Sequence, residues 1–226
     1  MNTAIIVAAG SGSRFGSDIP KQFLTIAGKP VLFHTLQQFE GTCQIHEIIA
    51  VVPPDWIEIV HKLSLEYLIS GLGKVVAGGA TRAESVRNGL EVVDPSTQIV
   101  VVHDGARPFV TVQEIDDTVA KADETGAACL VAEVTDTIKE VRENVIVGTV
   151  DRNKLRRALT PQAFRYDILQ RAFANAHLGD NVTDECYLVE KLGVEIAAVE
   201  GSSRNIKITR PEDIRLAEIF LSEPPA

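Results

Sequence analysis

The chain has 226 residues, enough to bury one sizeable core. Hydrophobic residues make up 45% and charged residues 23% of it, the composition of an ordinary globular protein. Against 31 acidic side chains there are 22 basic ones, a formal net charge of −9 that argues against a nucleic-acid or membrane-surface partner. No apolar run reaches the roughly 18 residues of a membrane span.

The first predicted strand, residues 3–8, runs into AAGSGSRFGSDIPKQF. Glycines in such a loop let backbone N–H groups approach an anion with no side chain in the way. Arg14 adds a planar fork of donors and Lys21 a mobile charge. Gly10, Gly12 and Gly16 miss the G-x-G-x-x-G spacing of dinucleotide folds by one place, and no acidic residue ends a second strand at the required distance. A P-loop run, G-x-x-x-x-G-K-[ST], is absent from the sequence. The competing structural reading is a flexible turn with surface cations.

A helix is predicted over 31–40, a strand over 47–53, a helix over 55–69 and a strand over 73–77. Next comes AGGATRAESVRNGL, where Thr81 and Glu84 form a capping box for a helix over 81–93. That alone explains the stretch; the functional reading is that Gly78 and Gly79 admit a flat base and Ser85 hydrogen-bonds it. The strand over 98–103 ends in HDGARPF. A carboxylate at the end of a buried strand is unfavourable unless it is paired or holds a cation. Asp104 therefore either pairs with Arg107 or holds Mg²⁺ beside phosphates. His103 reads as a structural residue rather than a base.

A helix over 112–125 and a strand over 127–134 follow, and after Thr135 the alternation stops. TIKEVRENVIVGTVD (137–151) reads as a hairpin turning at Glu143-Asn144, with too few apolar residues to own a core. It should project and pack on something else. Helices over 166–176, 184–192 and 211–221 and strands over 194–199 and 205–208 complete the chain. Cations stand beside hydroxyls at Arg152 with Thr160 and at Lys207 with Thr209, as a second phosphate would need. Cys43, Cys129 and Cys186 are widely spaced among apolar neighbours and read as reduced core thiols.

The pattern is that of an α/β fold: a Rossmann-like, mostly parallel sheet with helices on both faces and a projecting hairpin arm. Residues 1–226 form one domain in this reading, with the arm at about 136–152. Ligands of open α/β sheets bind beyond the carboxyl ends of the strands, which gathers the loops 8–21, 78–85 and 103–108 into one crevice. No Ser-His-Asp order, zinc-ligand spacing or close carboxylate pair occurs in the sequence. Cations without a nucleophile suit phosphoryl or nucleotidyl transfer, where positioning and charge stabilisation carry the rate.

Taken together, AAGSGSRFG–PKQF, GGATRAESV, VHDGARPF, DTIK, TVDRNKL–ALTPQAF, TDE and NIKITRPED resemble the 2-C-methyl-D-erythritol 4-phosphate cytidylyltransferase family. The resemblance implies that Ala8, Ala9, Gly10 and Gly12 line the phosphates and base of CTP, with Arg14 and Lys21 stabilising the transition state. It implies further that Gly79, Arg82 and Ser85 meet the cytosine and ribose, while Asp104, Gly105 and Arg107 sit at the nucleotide. A divalent cation, Mg²⁺ or another, would accompany CTP at Asp104. Thr137, Arg152, Thr160, Thr183 and Lys207 would hold the methylerythritol phosphate, Arg152 and Lys207 placing its attacking phosphate. The hairpin would clasp a second copy in a homodimer, so that Thr137 and Arg152 act across it. Nucleic acid and membrane are not expected as partners, and the expected location is the cytoplasm, or the plastid stroma for a plastid enzyme without its transit peptide. Ala80 departs from the acidic residue of many relatives, and Cys186-Tyr187 is bulkier than the family's usual choice. The other readings are a ribitol 5-phosphate cytidylyltransferase, a non-catalytic nucleotide-binding module and an NAD-binding protein.

Overall fold

Three strands of almost unbroken Val, Ile and Ala form the middle of the molecule: β1 (Asn2–Val7) pairs in parallel with β4 (Glu47–Val52) on one side and β6 (Ile99–Asp104) on the other. Such runs suit strands buried on both faces, and all six residues of β6 are buried. The computed structural model describes residues 1–10, 19–176 and 182–222. Within them, a short ribbon of β2 (Thr25–Ile26) and β3 (Lys29–Pro30) precedes α1 (Val31–Glu40). After β4 come α2 (Ile57–Glu66), β5 (Leu72–Ala77) and α3 (Arg82–Leu90). Beyond β6 lie α4 (Val112–Thr125), β7 (Ala127–Glu133), β8 (Ile138–Arg142), β9 (Val145–Val150) and β10 (Arg156–Arg165). The chain closes with α5 (Tyr166–Ala174), α6 (Glu185–Glu190), β11 (Ala197–Glu200) and α7 (Pro211–Ser222).

Among the described residues the main sheet has seven strands in the order β11-β7-β10-β6-β1-β4-β5. Side chains alternate across each strand, so Ala4 and Ile6 of β1 and Val101 of β6 join the core under α1, α2 and α4, which contribute Phe33, Val60 and Ile115. Ile5, Val100 and Val102 point to the opposite core, beneath α3, α5 and α6, with Val86, Leu169 and Val189. From β1 the chain builds outward through β4 and β5, then returns to place β6 on the other side. The loops after β1 and β6 therefore diverge, and a crevice opens between them.

The mostly parallel sheet with helices on both faces agrees with the sequence reading, and three details correct it. First, β10 runs antiparallel between β6 and β7 where no strand was expected. Arg156 and Arg157 open it and Pro161 interrupts it; the register shifts between Ala158 and Gln162, and that irregularity admits the proline inside a central strand. Second, residues 205–208 form no strand, and their backbone instead binds loops at the crevice. Third, Cys43 is exposed rather than in the core, whereas Cys129 and Cys186 are buried free thiols.

The hairpin forms as expected, with Ile138 paired to Val150 and Arg142 to Val145. Glu143 and Asn144 both take positive φ, 48° and 64°, the two-residue turn whose twist matches paired strands. Along its length the arm is largely exposed.

Gly89 of α3 lies so close to the sheet that an added Cβ would stand 2.7 Å from Ile5 Cγ2 and 3.0 Å from Val51 Cγ2. Replacing glycine by alanine within a helix ordinarily gains about 1 kcal/mol, but overpacking a tight core loses about 1–3 kcal/mol. Here the second effect wins, because both neighbours are fully buried. Gly89→Ala is expected to lower the thermal midpoint by about 2–4 °C in a calorimetric scan. A raised midpoint would mean that α3 lifts off the sheet without loss.

Candidate active site

At the carboxyl ends of β1, β5 and β6 lies a cavity of about 490 Å³. Its walls come from three places. The loop after β1 supplies Ala8, Ala9 and Gly10, with Lys21 and Gln22 from the turn that follows. The loop after β5 and the first turns of α3 supply Gly79, Arg82 and Ser85, and the third wall holds Asp104, Lys207 and Thr209. Nine of the residues singled out from sequence thus share one cavity: Ala8, Ala9, Gly10, Lys21, Gly79, Arg82, Ser85, Asp104 and Lys207.

Local sequence explains the walls. Thr81 caps α3 by accepting from the Glu84 N–H while Glu84 reaches back to the Thr81 N–H, the expected capping box. Ser85, one turn in, accepts from the Gly79 N–H at 3.1 Å and donates to the Thr81 carbonyl at 2.9 Å, which folds the glycine pair over the helix end. Gly78 must be glycine, because a Cβ there would lie 2.1 Å from that of Ala9. The loops after β1 and β5 touch at that point. Gly105 sits beneath the cavity rather than on its wall: its N–H donates to the Val7 carbonyl at 2.9 Å, and a Cβ would press on Ala8 at 2.9 Å.

Asp104 is the only carboxylate lining the cavity among the described residues. It is met by three cations, namely Arg82 Nε at 3.0 Å, Lys207 Nζ at 2.8 Å and Arg107 Nε at 3.5 Å. Burial would raise its pKa, but Arg82, Lys207 and Arg107 together outweigh burial and hold the carboxyl well below the usual range. Arg82 also reaches a second carboxylate, donating from Nη1 to Glu185 Oε1 at 2.6 Å. Burial opposes the charge of Arg82, yet Glu185 and Asp104 overcome it and keep the guanidinium charged. Glu185 itself is wholly buried, which pushes its carboxyl upward. Of the two alternatives named for Asp104 in the sequence reading, the pair with Arg107 is present, joined by Arg82 and Lys207.

Below this cluster, the Asp104 N–H donates to Thr160 Oγ1 at 3.1 Å, and the Thr160 hydroxyl meets His103 Nδ1 at 3.1 Å. The hydroxyl has one proton to give, so it donates to Nδ1 and the His103 Nε2–H donates to the Arg107 carbonyl at 3.1 Å. Burial pushes the His103 pKa down to about 3, so the ring is neutral and structural. Thr160 is buried under the floor and does not line the cavity. Arg107 points its Nη1 at the Asn205 carbonyl, 2.8 Å away, and so fixes the segment that carries Lys207. Lys21 donates to the Ile208 carbonyl of the same segment at 2.6 Å.

Thr137 and Arg152 are exposed at the base of the hairpin and do not line the cavity; the Arg152 guanidinium donates to the Thr135 carbonyl. Thr183, exposed, precedes the cap residue of α6. Gly12 and Arg14 lie outside the described residues. Two buried residues were missed from sequence: Gln22, whose amide bonds carbonyls of the glycine loop, and Glu185, the anchor of Arg82. The capping position of Asp184 was the one available signal for Glu185, since it turns the next residue inward.

As to a divalent cation, no cluster of three or more potential ligands occurs among the described residues. Mg²⁺ takes one or two carboxylates with substrate phosphates, and Asp104 supplies one. The donor set fits a cation that arrives with phosphates and does not fit one held by protein alone.

A family description, IspD: 2-C-methyl-D-erythritol 4-phosphate cytidylyltransferase, matches residues 2–223. The enzyme of that name from Syntrophus aciditrophicus is 43% identical over 97% of this chain and 95% of its own length. A bifunctional enzyme IspD/IspF from Desulfotalea psychrophila is 44% identical over 98% of this chain, which spans 57% of that relative's length. Among solved structures, 4-diphosphocytidyl-2C-methyl-D-erythritol synthase from Anaerococcus prevotii superposes with a TM-score of 0.87 at 30% identity, covering 98% of both chains. The 2-C-methyl-D-erythritol 4-phosphate cytidylyltransferase of Thermus thermophilus superposes at 0.80 with 33% identity, covering 97% of this chain and 98% of that one.

Asp104→Asn leaves three buried or half-buried cations without their common partner, and loss of one member of such a group costs about 3–5 kcal/mol. Because the folded carboxyl is held low, its contribution is present above the unfolded value of about 4 and fades as pH falls below it. Urea midpoints of wild type and variant should differ most at neutral pH and converge in acid. A difference that grows in acid would contradict the pairing.

Proposed function

The chain belongs to the 2-C-methyl-D-erythritol 4-phosphate cytidylyltransferase family, and we propose that its cavity binds CTP and passes the cytidylyl group to 2-C-methyl-D-erythritol 4-phosphate. The products are 4-diphosphocytidyl-2-C-methyl-D-erythritol and pyrophosphate. One observation carries the reading: Lys21, Arg82 and Lys207 converge on a single cavity at the sheet's switch point, in a chain whose net charge is −9.

In this reading the glycine loop receives the triphosphate, and the Gly79–Ser85 turn receives base and ribose. A phosphate oxygen of the acceptor attacks the α-phosphorus in line; the new P–O bond forms as the bond to the β-phosphate oxygen breaks, and pyrophosphate takes that electron pair. Lys21 and Arg14 neutralise charge gathering on the five-coordinate phosphorus. The nucleophile is already an anion, so no side chain has to remove a proton, in keeping with a His103 that is neutral and buried. Mg²⁺, held by Asp104 and the phosphates of CTP, would supply Lewis-acid charge neutralisation. Lys207 and Arg152 place the acceptor phosphate, with Thr137 and Thr183 toward the polyol.

The hairpin serves a homodimer in the same proposal. Val141, Val145, Ile146 and Val147 are 55%, 62%, 63% and 50% exposed, an apolar arm that a second copy would cover. Arg152 at its base then serves the partner's cavity. A cytoplasmic location is part of the same proposal.

Pyrophosphate is expected from CTP with 2-C-methyl-D-erythritol 4-phosphate and much less from CTP with ribitol 5-phosphate. Equal or faster release with ribitol 5-phosphate would overturn the acceptor and leave only a cytidylyltransferase.

Action across the dimer has its own test. Lys21→Ala and Arg152→Ala proteins should each be nearly inactive. Mixed in equal amounts with subunit exchange, half of the dimers are mixed, and in each of those one of two sites is intact, so about a quarter of all sites recover in a two-fold dimer. No recovery, with exchange demonstrated by tagged subunits, would place Arg152 in its own chain's site.

A further inference from the structure

We propose that Gln22 is a positioning residue for nucleotide transfer: its side-chain amide sets the direction of the peptide groups in the glycine loop and locks that loop to the turn carrying Lys21. The inference rests on the reading of the cavity as the CTP site. Gln22 is 2% exposed and sits in the 3-10 turn Lys21–Phe23. Its Nε2 donates to the Ala8 carbonyl at 2.5 Å and to the Gly10 carbonyl at 2.9 Å. Both partners accept only, so the amide can face them in one way, with NH₂ inward.

One amide thus collects two carbonyls from alternate residues of a loop that has few side chains of its own to hold its shape. In a planar trans peptide the N–H points opposite to the preceding C=O. Drawing the Ala8 carbonyl onto Gln22 therefore turns the Ala9 N–H away from Gln22. The Ala8 N–H is already given to the Val51 carbonyl at 2.7 Å, so the Ala9 N–H is the donor that this link leaves for an anion, in a cavity that Ala8, Ala9 and Gly10 all line.

The other end of the link is rigid. Phe23, next in the turn, is buried and stacks on Trp56 with ring centroids 3.8 Å apart and planes 9° from parallel. The turn closes on itself through the Phe23 N–H to the Pro20 carbonyl at 2.8 Å. Lys21 is carried on this block, so Gln22 fixes the spacing between the loop that holds phosphates and the cation that neutralises them. A residue that merely filled space would need bulk at this position, not two donors.

Two near-isosteric variants separate donors from bulk. Gln22→Met keeps volume and removes both donors; Gln22→Glu keeps shape and sets acceptor against acceptor. Pyrophosphate release is measured with CTP and 2-C-methyl-D-erythritol 4-phosphate, together with KM for each substrate and the thermal midpoint. Gln22→Met is expected to lose about a hundredfold in kcat/KM for CTP, the order expected for a misplaced reacting group, with KM for the acceptor unchanged. Gln22→Glu should be as poor or poorer at about pH 8, and should recover relative to wild type toward about pH 6, where a carboxyl raised by burial regains one donor proton. A lower midpoint with wild-type CTP kinetics in the folded variants would overturn the proposal, as would a Gln22→Glu profile parallel to wild type. If one variant fails to fold, the other decides by the same criteria. A wild-type protein that released no pyrophosphate would sink the CTP reading itself, whereas an active wild type with indifferent variants would sink only the role of Gln22.

Discussion

Asp104 and the three cations around it are the constraint on which the site depends. The carboxylate ends β6, the strand at the sheet's switch point, and its partners come from elsewhere: Arg82 from α3, Arg107 from the loop after β6, and Lys207 from the segment before α7. Arg82 extends the group to Glu185 at the start of α6. Bringing these segments together would be unfavourable without the carboxylate, since like charges would face one another in a place of low dielectric. With it, three cations stand against two carboxylates, Asp104 and Glu185, leaving a local excess of +1, and Lys21 on the same cavity raises it to +2. A chain of net charge −9 repels a triphosphate at long range. The cluster reverses that sign at the cavity, and the low-dielectric walls of a crevice strengthen its effect.

The same cluster explains why the fold's two halves of the sheet matter equally to the site. β1, β4 and β5 contribute backbone: two glycine-bearing loops whose mutual approach is set by Gly78 against Ala9. β6, α6 and the segment after β11 contribute Asp104, Glu185 and Lys207, which the cations Arg82 of α3 and Lys21 of the turn after β1 join from the first half. Backbone N–H groups and side-chain cations act on different parts of an anion, the first by directed hydrogen bonds and the second by field, so a site for a polyphosphate gains from having both.

Much of this was legible in the sequence because it rests on local patterns. Buried parallel strands are near-continuous apolar runs, helix α3 announces itself by Thr81 and Glu84, and the hairpin by a change from apolar to mixed residues. The rule that ligands sit beyond the carboxyl ends of strands gathers Ala8, Lys21, Gly79, Arg82 and Asp104 into one crevice from sequence alone. What escaped was set by partners far along the chain. β10 hides behind two arginines and a proline, and is held as a strand by β6 and β7 on either side. Glu185 has only the capping Asp184 before it as a local mark, and Arg82, 103 residues away, makes its buried position tenable. Thr160 looked like a ligand contact because a hydroxyl beside cations suggests phosphate, yet its bonds go to His103 and Asp104. Cys43 sits among uncharged neighbours, and nothing in that stretch distinguishes a core thiol from an exposed one.

The supports beneath the site differ in charge, and the glycine loop is the place where that difference matters most. Side-chain cations are steadied by carboxylates: Arg82 by Asp104 and Glu185, Lys207 by Asp104. Backbone is steadied partly by charged groups, Arg107 on the Asn205 carbonyl, Lys21 on the Ile208 carbonyl and Glu84 on the Thr81 N–H, and partly by neutral amides. Gln22 holds the glycine loop; Asn205 donates to the Thr160 carbonyl at 2.9 Å; Gln162 accepts from the Cys186 N–H at 3.2 Å while donating to Asp184 at 2.9 Å, which pins the start of α6. A cation needs a counter-charge to be buried at all, and the excess of cations over carboxylates sets the field that remains. A backbone loop needs only donors and acceptors. Holding the glycine loop with a charged side chain would add a further source of field at the cavity wall. Amides keep shape and field separate, so the peptide groups can be set rigidly while the charge facing the cavity is determined by Lys21, Arg82, Asp104 and Lys207 alone among its described walls.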